Sequence, residues 1–293
     1  MPDDIDFERD ARDWPNASAS RRIKTADLNW HVQIAGEGPP LLLLHGTGAS
    51  THSWAGLLPL LARRFTVIAP DLPGQGFSQT SNRALFSMTG MAGAQQRLVT
   101  ELGVRIEACA GHSAGAAILA RMALDGQIAP KSIISLNGAV VPFDGTISRL
   151  FSPLAKLLVL NPFVPHVFAW RAADRRSVER LLDSTGSKVP AASIGIYQRL
   201  FSAPSHVAGT LAMMASWDLA TLYGELGRLS VPLLLVACEN DRTVPPGDAA
   251  MIARFVPSAT VLRVPRLGHL AHEEDPERIA EVIFGLAGAG AGG

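Results

Sequence analysis

The chain has 293 residues, 47% of them hydrophobic and 18% charged, which suits one large core and excludes general disorder. Its 26 Lys and Arg balance 26 Asp and Glu with no basic run, so the charge carries no nucleic-acid signature. The two cysteines, Cys109 and Cys238, lie in apolar strand-like stretches and read as buried thiols of a reducing compartment, not as a disulfide framework.

Residues 1–20 read as an irregular polar arm with Trp14-Pro15-Asn16 as a docking point. Its start, Met1-Pro2-Asp3-Asp4-Ile5-Asp6, has neither the basic opening nor the apolar run of a secretory signal, so a cytoplasmic location is expected. Arg21 to Ala35 predicts two short strands around Ala26-Asp27. Leu41 to Leu44, set between Pro39-Pro40 and Gly46, predicts a strand buried on both faces. A helix over Ser53 to Arg63 and a second buried strand over Phe65 to Ala69 follow. That strand is closed by Pro70-Asp71 and the turn Pro73-Gly74-Gln75-Gly76. Helical spacing returns over residues 91–102, then a strand over Glu107 to Ala110 and an Ala- and Leu-rich helix over Ala114 to Leu124. Ile133 to Leu136, Leu233 to Ala237 and Thr260 to Val264 predict further strands. Pro276 to Leu286 predicts a closing helix, and residues 288–293 a flexible glycine-rich tail.

Strands alternating with helices predict an α/β fold, with a mostly parallel central sheet flanked by helices. The rhythm breaks over residues 142–217, which read as a helical cap inserted into a core made of residues 1–141 and 218–293. Leu157 to Trp170 is uncharged, but it is too short, and too broken by Asn161, Pro162 and Pro165, to span a bilayer. It suits an apolar cap over a pocket, with peripheral contact at a membrane surface as the other reading.

Gly111-His112-Ser113-Ala114-Gly115 fits Gly-x-Ser-x-Gly between an apolar strand and a helix. Small flanking residues let a sharp turn push the Ser113 hydroxyl above the sheet, where it can act as a nucleophile. The helix opening at Ala114 aims backbone N–H groups at a developing oxyanion. A second donor belongs in the loop His45-Gly46-Thr47-Gly48, and the Thr47 N–H is assigned to it. His45 itself reads as a packed residue or as part of the pocket wall.

A base for this order of residues must follow the nucleophile and the acid. His269, between the last strand and the last helix, fits; His272, its near rival, reads as a surface or helix-capping residue. Asp241, on the loop after Leu233 to Cys238, is the candidate acid that would fix the His269 tautomer. Glu239 is close in sequence but is expected to point elsewhere. Asp71 precedes the nucleophile and is expected to tie down the Pro73 to Gly76 turn. His31, His52 and His112 read as structural, while His166 and His206, in the cap, are candidates for a pocket wall. So are Phe143, Phe151, Phe168 and Trp170, against the plainer reading of helix packing.

Taken together, the His45 to Gly48 loop, Asp71 to Gly76, Gly111 to Gly115, Asp241 to Pro245 and Gly268-His269 with Glu274-Asp275-Pro276 resemble the α/β-hydrolase superfamily over nearly the whole chain. A narrower set resembles the magnesium-chelatase accessory proteins of bacteriochlorophyll biosynthesis (BchO): Asp13 to Asn16, Trp30 to Gln33, His45 to Trp54, His112 to Leu119, Leu136 to Gly138, His206 to Gly209, Met213 to Leu219 and Gly268 to Glu274. Gln75 departs from the histidine often found in the Pro-Gly-x-Gly turn. The narrower resemblance implies a role near magnesium insertion into protoporphyrin, with a porphyrin or porphyrin ester as ligand and chelatase subunits as partners. It leaves open whether Ser113 chemistry or mere binding is used. A general esterase or carbon–carbon-bond hydrolase outside pigment synthesis is the remaining reading.

No cofactor is expected. Histidines, cysteines and carboxylates do not fall at metal-ligand spacing, and no phosphate-binding loop of the Gly-x-x-x-x-Gly-Lys-Ser/Thr type occurs.

Overall fold

A computed structural model describes residues 4–142, 161 and 163–289, the last four by backbone alone. Phe143 and Phe151 lie outside the described residues. Eight strands form one sheet: β1 (Ser20–Lys24), β2 (Asn29–Ala35), β3 (Pro40–Leu44), β4 (Thr66–Pro70), β5 (Ala108–His112), β6 (Ser132–Leu136), β7 (Leu233–Cys238) and β8 (Ala259–Val264). Their order is β1-β2-β4-β3-β5-β6-β7-β8. The β1–β2 and β2–β4 pairs are antiparallel and every later pair is parallel, as expected of a mostly parallel sheet.

The Leu41 to Leu44 run shows why the centre is apolar throughout. Alternate side chains of a strand point to opposite faces. Leu42 and Leu44 join the core on one face, under α3 (Met88–Glu101) and α4 (Ala114–Leu124). Leu41 and Leu43 join the other, under α2 (Leu57–Leu61) and α12 (Pro276–Ala289). All four leucines are fully buried.

Three local expectations shift. The Ser53 to Arg63 helix is a 3₁₀ turn over Thr51–Trp54 followed by the short α2, with Gly56 between them packed closely against Pro276. The closing helix α12 runs to Ala289, into the expected tail. The N-terminal arm holds a short helix, α1 (Phe7–Asp10), and two 3₁₀ turns, and it docks through Trp14, whose Nε1–H donates to Thr51 Oγ1 at 3.0 Å.

Between β6 and β7 the chain inserts α5 (Val164–Ala172), α6 (Arg175–Ser184), α7 (Ala191–Phe201) and α8 (Pro204–Ser216), then α9 (Leu219–Glu225). The short helices α10 (Gly247–Ala253) and α11 (Ala271–Glu274) follow β7 and β8. Among the described residues no helix is long and apolar enough to cross a membrane. The loops leaving the C-terminal ends of β3, β5, β7 and β8 carry Thr47, Ser113, Asp241 and His269, which is where open α/β sheets place their ligand sites.

Candidate active site

Ser113 sits in the tight turn from β5 into α4 with φ 51° and ψ −115°. A non-glycine residue in that region stores strain of about 1–3 kcal/mol and persists only where its surroundings impose it. Three backbone hydrogen bonds do so here. Ser113 N–H donates to Leu136 O at 3.1 Å, and Ser113 O accepts from Ala116 N–H at 3.2 Å and Ala139 N–H at 3.1 Å. The flanking glycines are required by packing: a Cβ at Gly115 would run into the Leu44 carbonyl, and one at Gly111 into the backbone at Ala116.

His269 is 6% exposed, and its Nδ1 lies 2.8 Å from Asp241 Oδ2. The other Asp241 oxygen accepts the amides of Thr243 at 2.7 Å and Val244 at 2.9 Å. With its acceptor sites so aimed, the carboxylate draws the His269 proton to Nδ1 and leaves Nε2 bare. The loop itself is held from below. The His269 carbonyl accepts from His112 Nε2–H at 2.9 Å and Asn137 Nδ2–H at 3.0 Å, and Leu270 N–H donates to Ser187 Oγ at 2.8 Å. A Cβ at Gly268 would collide with the backbone at Gly186, so the inserted segment lies directly on this loop.

Ser113, His269, Thr47 and Ala114 line one cavity of about 260 Å³, closed on its other side by Leu182, Tyr197, Phe201 and Met213 of the inserted helices. Among the described residues, neither the Thr47 nor the Ala114 amide donates to a protein acceptor, so both remain available to a bound oxygen. The Thr47 loop is fixed by its neighbour: Gly48 N–H donates to Gln75 Oε1 at 2.7 Å, while Gln75 Nε2 touches Met213 Sδ at 3.1 Å. No Lys, Arg, Asp or Glu side chain stands among the described residues of this wall.

Residues 39–276 match the family model described as the alpha/beta hydrolase fold. The magnesium-chelatase 30 kDa subunit of Rhodobacter capsulatus is 40% identical over 273 residues, covering 92% of this chain and 95% of that protein. The chain belongs to the α/β-hydrolase fold family, alongside that subunit. A more distant relative is the pimeloyl-[acyl-carrier protein] methyl ester esterase of Nitrosomonas europaea, 26% identical over 87% of this chain and 98% of that protein. A solved thermophilic esterase from Thermogutta terrifontis superimposes with a TM-score of 0.71 at 23% identity, over 92% of this chain and 98% of that one, and so shares the fold.

Within this α/β-hydrolase the remaining sequence candidates separate. His45 is fully buried and does not line the cavity. Its Nδ1–H donates to Gly46 O at 2.8 Å and its Nε2 accepts Leu72 N–H at 2.9 Å, so it braces the loop under Thr47. Phe168 and Trp170 are 54% and 71% exposed and face away from the cavity wall, because Pro165, Ala169 and Ala172 form the packed side of α5. His206 is buried between Gly76 N–H at 3.0 Å and Gly48 O at 3.1 Å, a tie between α8 and the two glycine turns instead of a pocket wall. Asp71 holds its turn as expected: one oxygen accepts Phe77 N–H at 2.8 Å and faces His31 Nδ1 at 2.8 Å. Burial alone would raise its pKa, but the His31 ring holds it down to about 2.

His272 is not a surface residue. It is 1% exposed, its Nε2 meets Ser53 Oγ at 2.8 Å, and burial lowers its pKa to about 3. Next to it Glu273 accepts the Ser53 hydroxyl at 2.5 Å and the Tyr197 hydroxyl at 2.7 Å, and burial pushes its carboxyl up to about 7. Glu273, Gln75, His112 and Asn137 shape the site without having been singled out for it in the sequence. Each works through a partner remote in the chain, so local spacing carries no signal for them.

Proposed function

We propose that this chain is a serine-type α/β-hydrolase acting as an accessory protein of bacteriochlorophyll biosynthesis, near magnesium insertion into protoporphyrin. The observation that carries the pathway is the 40% identity, over nearly both whole chains, to a magnesium-chelatase subunit. The chemistry rests on Ser113, held in a strained turn beside a His269–Asp241 pair. Backbone strain of this kind clusters at functional sites. Residues 142–217 serve as the cap that closes the cavity. Chelatase subunits are the proposed protein partners, and peripheral contact with a membrane belongs to the same reading.

In this reading Ser113 Oγ attacks the carbonyl carbon of an ester, thioester or amide while His269 Nε2 takes the hydroxyl proton. Asp241 stabilises the imidazolium, and the Thr47 and Ala114 amides hold the negative oxygen of the tetrahedral intermediate. His269 then returns the proton to the leaving group as the C–O, C–S or C–N bond breaks. Water, deprotonated by the same nitrogen, then attacks the acyl carbon, and His269 returns that proton to Ser113 Oγ as the bond from Oγ to the acyl carbon breaks and the acid leaves. Among the described residues the cavity wall is uncharged, which favours a neutral porphyrin ester arm, since burying a carboxylate beside such a wall is costly.

A fluorophosphonate probe tests the chemistry. The native protein should become labelled at Ser113, and Ser113→Ala should not. Equal labelling of both would overturn the assignment.

A further inference from the structure

Helix α5 carries its apolar side chains in the reverse of the usual order. Its packed stripe is small, Pro165, Ala169 and Ala172, and all three are buried. Phe163 at its N-cap, Val167 and Trp170 lie at i, i+4 and i+7 on the opposite side and are 75%, 57% and 71% exposed. Helical periodicity makes these three one continuous stripe. Phe168 on its flank is 54% exposed. A helix turned this way is unfavourable in water and favourable at the boundary of headgroups and acyl chains, where Trp and Phe settle.

Two further observations say what covers it. Arg171 at the end of the stripe and Arg176 on α6 are exposed and have no carboxylate partner among the described residues, whereas Arg175 is paired with Glu179. Exposed guanidinium groups this near in the chain to an aromatic stripe complement anionic lipid headgroups. Leu181 of α6 is both 53% exposed and part of the cavity wall that holds Ser113. The exposed apolar residues and the rim of the cavity therefore belong to the same pair of helices.

We propose that the α5–α6 face docks on an anionic membrane surface, with Phe163, Val167 and Trp170 in the acyl boundary and Arg171 and Arg176 among the headgroups. The docked face presents the cavity rim to apolar molecules dissolved in the bilayer. The inference rests on the peripheral-contact part of the proposed function and not on Ser113 chemistry.

The full chain should be sedimented with vesicles of phosphatidylcholine alone and of phosphatidylcholine mixed equally with phosphatidylglycerol. Binding to the mixed vesicles should be stronger and should weaken as salt is raised. Phe163→Ser with Trp170→Ser should lower it about tenfold or more. Arg171→Gln with Arg176→Gln should remove roughly twenty-five-fold of the preference for phosphatidylglycerol, since each arginine near an anionic surface contributes roughly a fivefold factor. Trp170→Phe should keep binding but lose most of the quenching by brominated lipid. Ser113→Ala should bind like the native chain, so a failure of the catalytic reading leaves this result standing. No sedimentation with either vesicle, or binding indifferent to all these substitutions, overturns the proposal. So does a dimer in solution that Phe163→Ser with Trp170→Ser converts to monomer, which would assign the face to a second copy.

Discussion

Tyr197 and Glu273 meet at 2.7 Å, the tyrosine hydroxyl of an inserted helix donating to a buried carboxyl four residues beyond His269. Tyr197 also lines the cavity. The contact joins the inserted helices to the chain segment that carries the proposed base, and it places a titratable group where the two meet.

That group should give stability a specific pH dependence. Glu273 faces Ser53, Tyr197, Ser193 and Glu274, with His272 beside it, and burial raises its pKa from 4.5 to about 7. Its contribution is fully present below the unfolded value and is lost as pH rises through the folded one, on the order of 3 kcal/mol over that window. His52, His206 and His272, lowered by burial from 6.5 to about 3, about 4 and about 3, act oppositely: their contribution is full above 6.5 and fades as pH falls. The difference between Glu273→Gln and the native chain isolates the carboxyl. Denaturant melts from pH 4.5 to 7.5 should show the variant gaining on the native protein as pH rises. A constant difference would remove Glu273 as the source.

Ser113→Gly should make the protein more stable while abolishing probe labelling. Glycine tolerates positive φ, so the strain of the turn is relieved by about 1 kcal/mol or more. For a domain of this size calorimetry should show a rise of roughly 2–4 °C in Tm. An unchanged or lower Tm would mean that the turn is not strained.

Asp241→Asn should leave the fold intact and cost activity toward an activated ester heavily. The amide cannot favour the Nδ1–H tautomer of His269, and comparable changes in serine triads cost about 10⁴ in kcat. Steady-state kinetics should show the fall in kcat with a small change in KM. A loss confined to KM would make Asp241 a binding residue instead.

Gln75→Leu should separate the Thr47 loop from the inserted helices. The substitution removes the acceptor of the Gly48 amide and the contact to Met213 while nearly keeping the volume. An oxyanion donor that loses its position costs about 10²–10³ in kcat. The same ester assay checks this, and undiminished turnover would show that Thr47 is fixed without Gln75.

Much of this arrangement was legible in the sequence for physical reasons. The Leu41 to Leu44 run, short and ended by Gly46, suits a strand covered on both faces, and Ser113 between small residues, after an apolar strand and before a helix, suits a tight strand-to-helix turn. Asp241 and His269 were legible because each follows a strand that ends at the same edge of the sheet. His112 and Asn137 were harder, because both act on the His269 carbonyl from more than 130 residues away. Glu273 looked like one more carboxylate in an acidic stretch, and its burial depends on Tyr197 and Ser53 arriving from other elements. In the sequence the aromatic residues of α5 suit a pocket wall or plain packing, with membrane contact as the other reading of Leu157 to Trp170. Their outward phase is decided by three small residues on the other side of the helix, which composition does not weigh.

Complementation tests the central claim most directly. A bacteriochlorophyll-producing strain lacking its own copy of this protein should receive either the native chain or Ser113→Ala at equal levels, and its pigments should be extracted and quantified. The account predicts that the native chain restores bacteriochlorophyll, while Ser113→Ala leaves protoporphyrin to accumulate as in the deletion. Full restoration by Ser113→Ala would contradict it and leave the fold as a binding module.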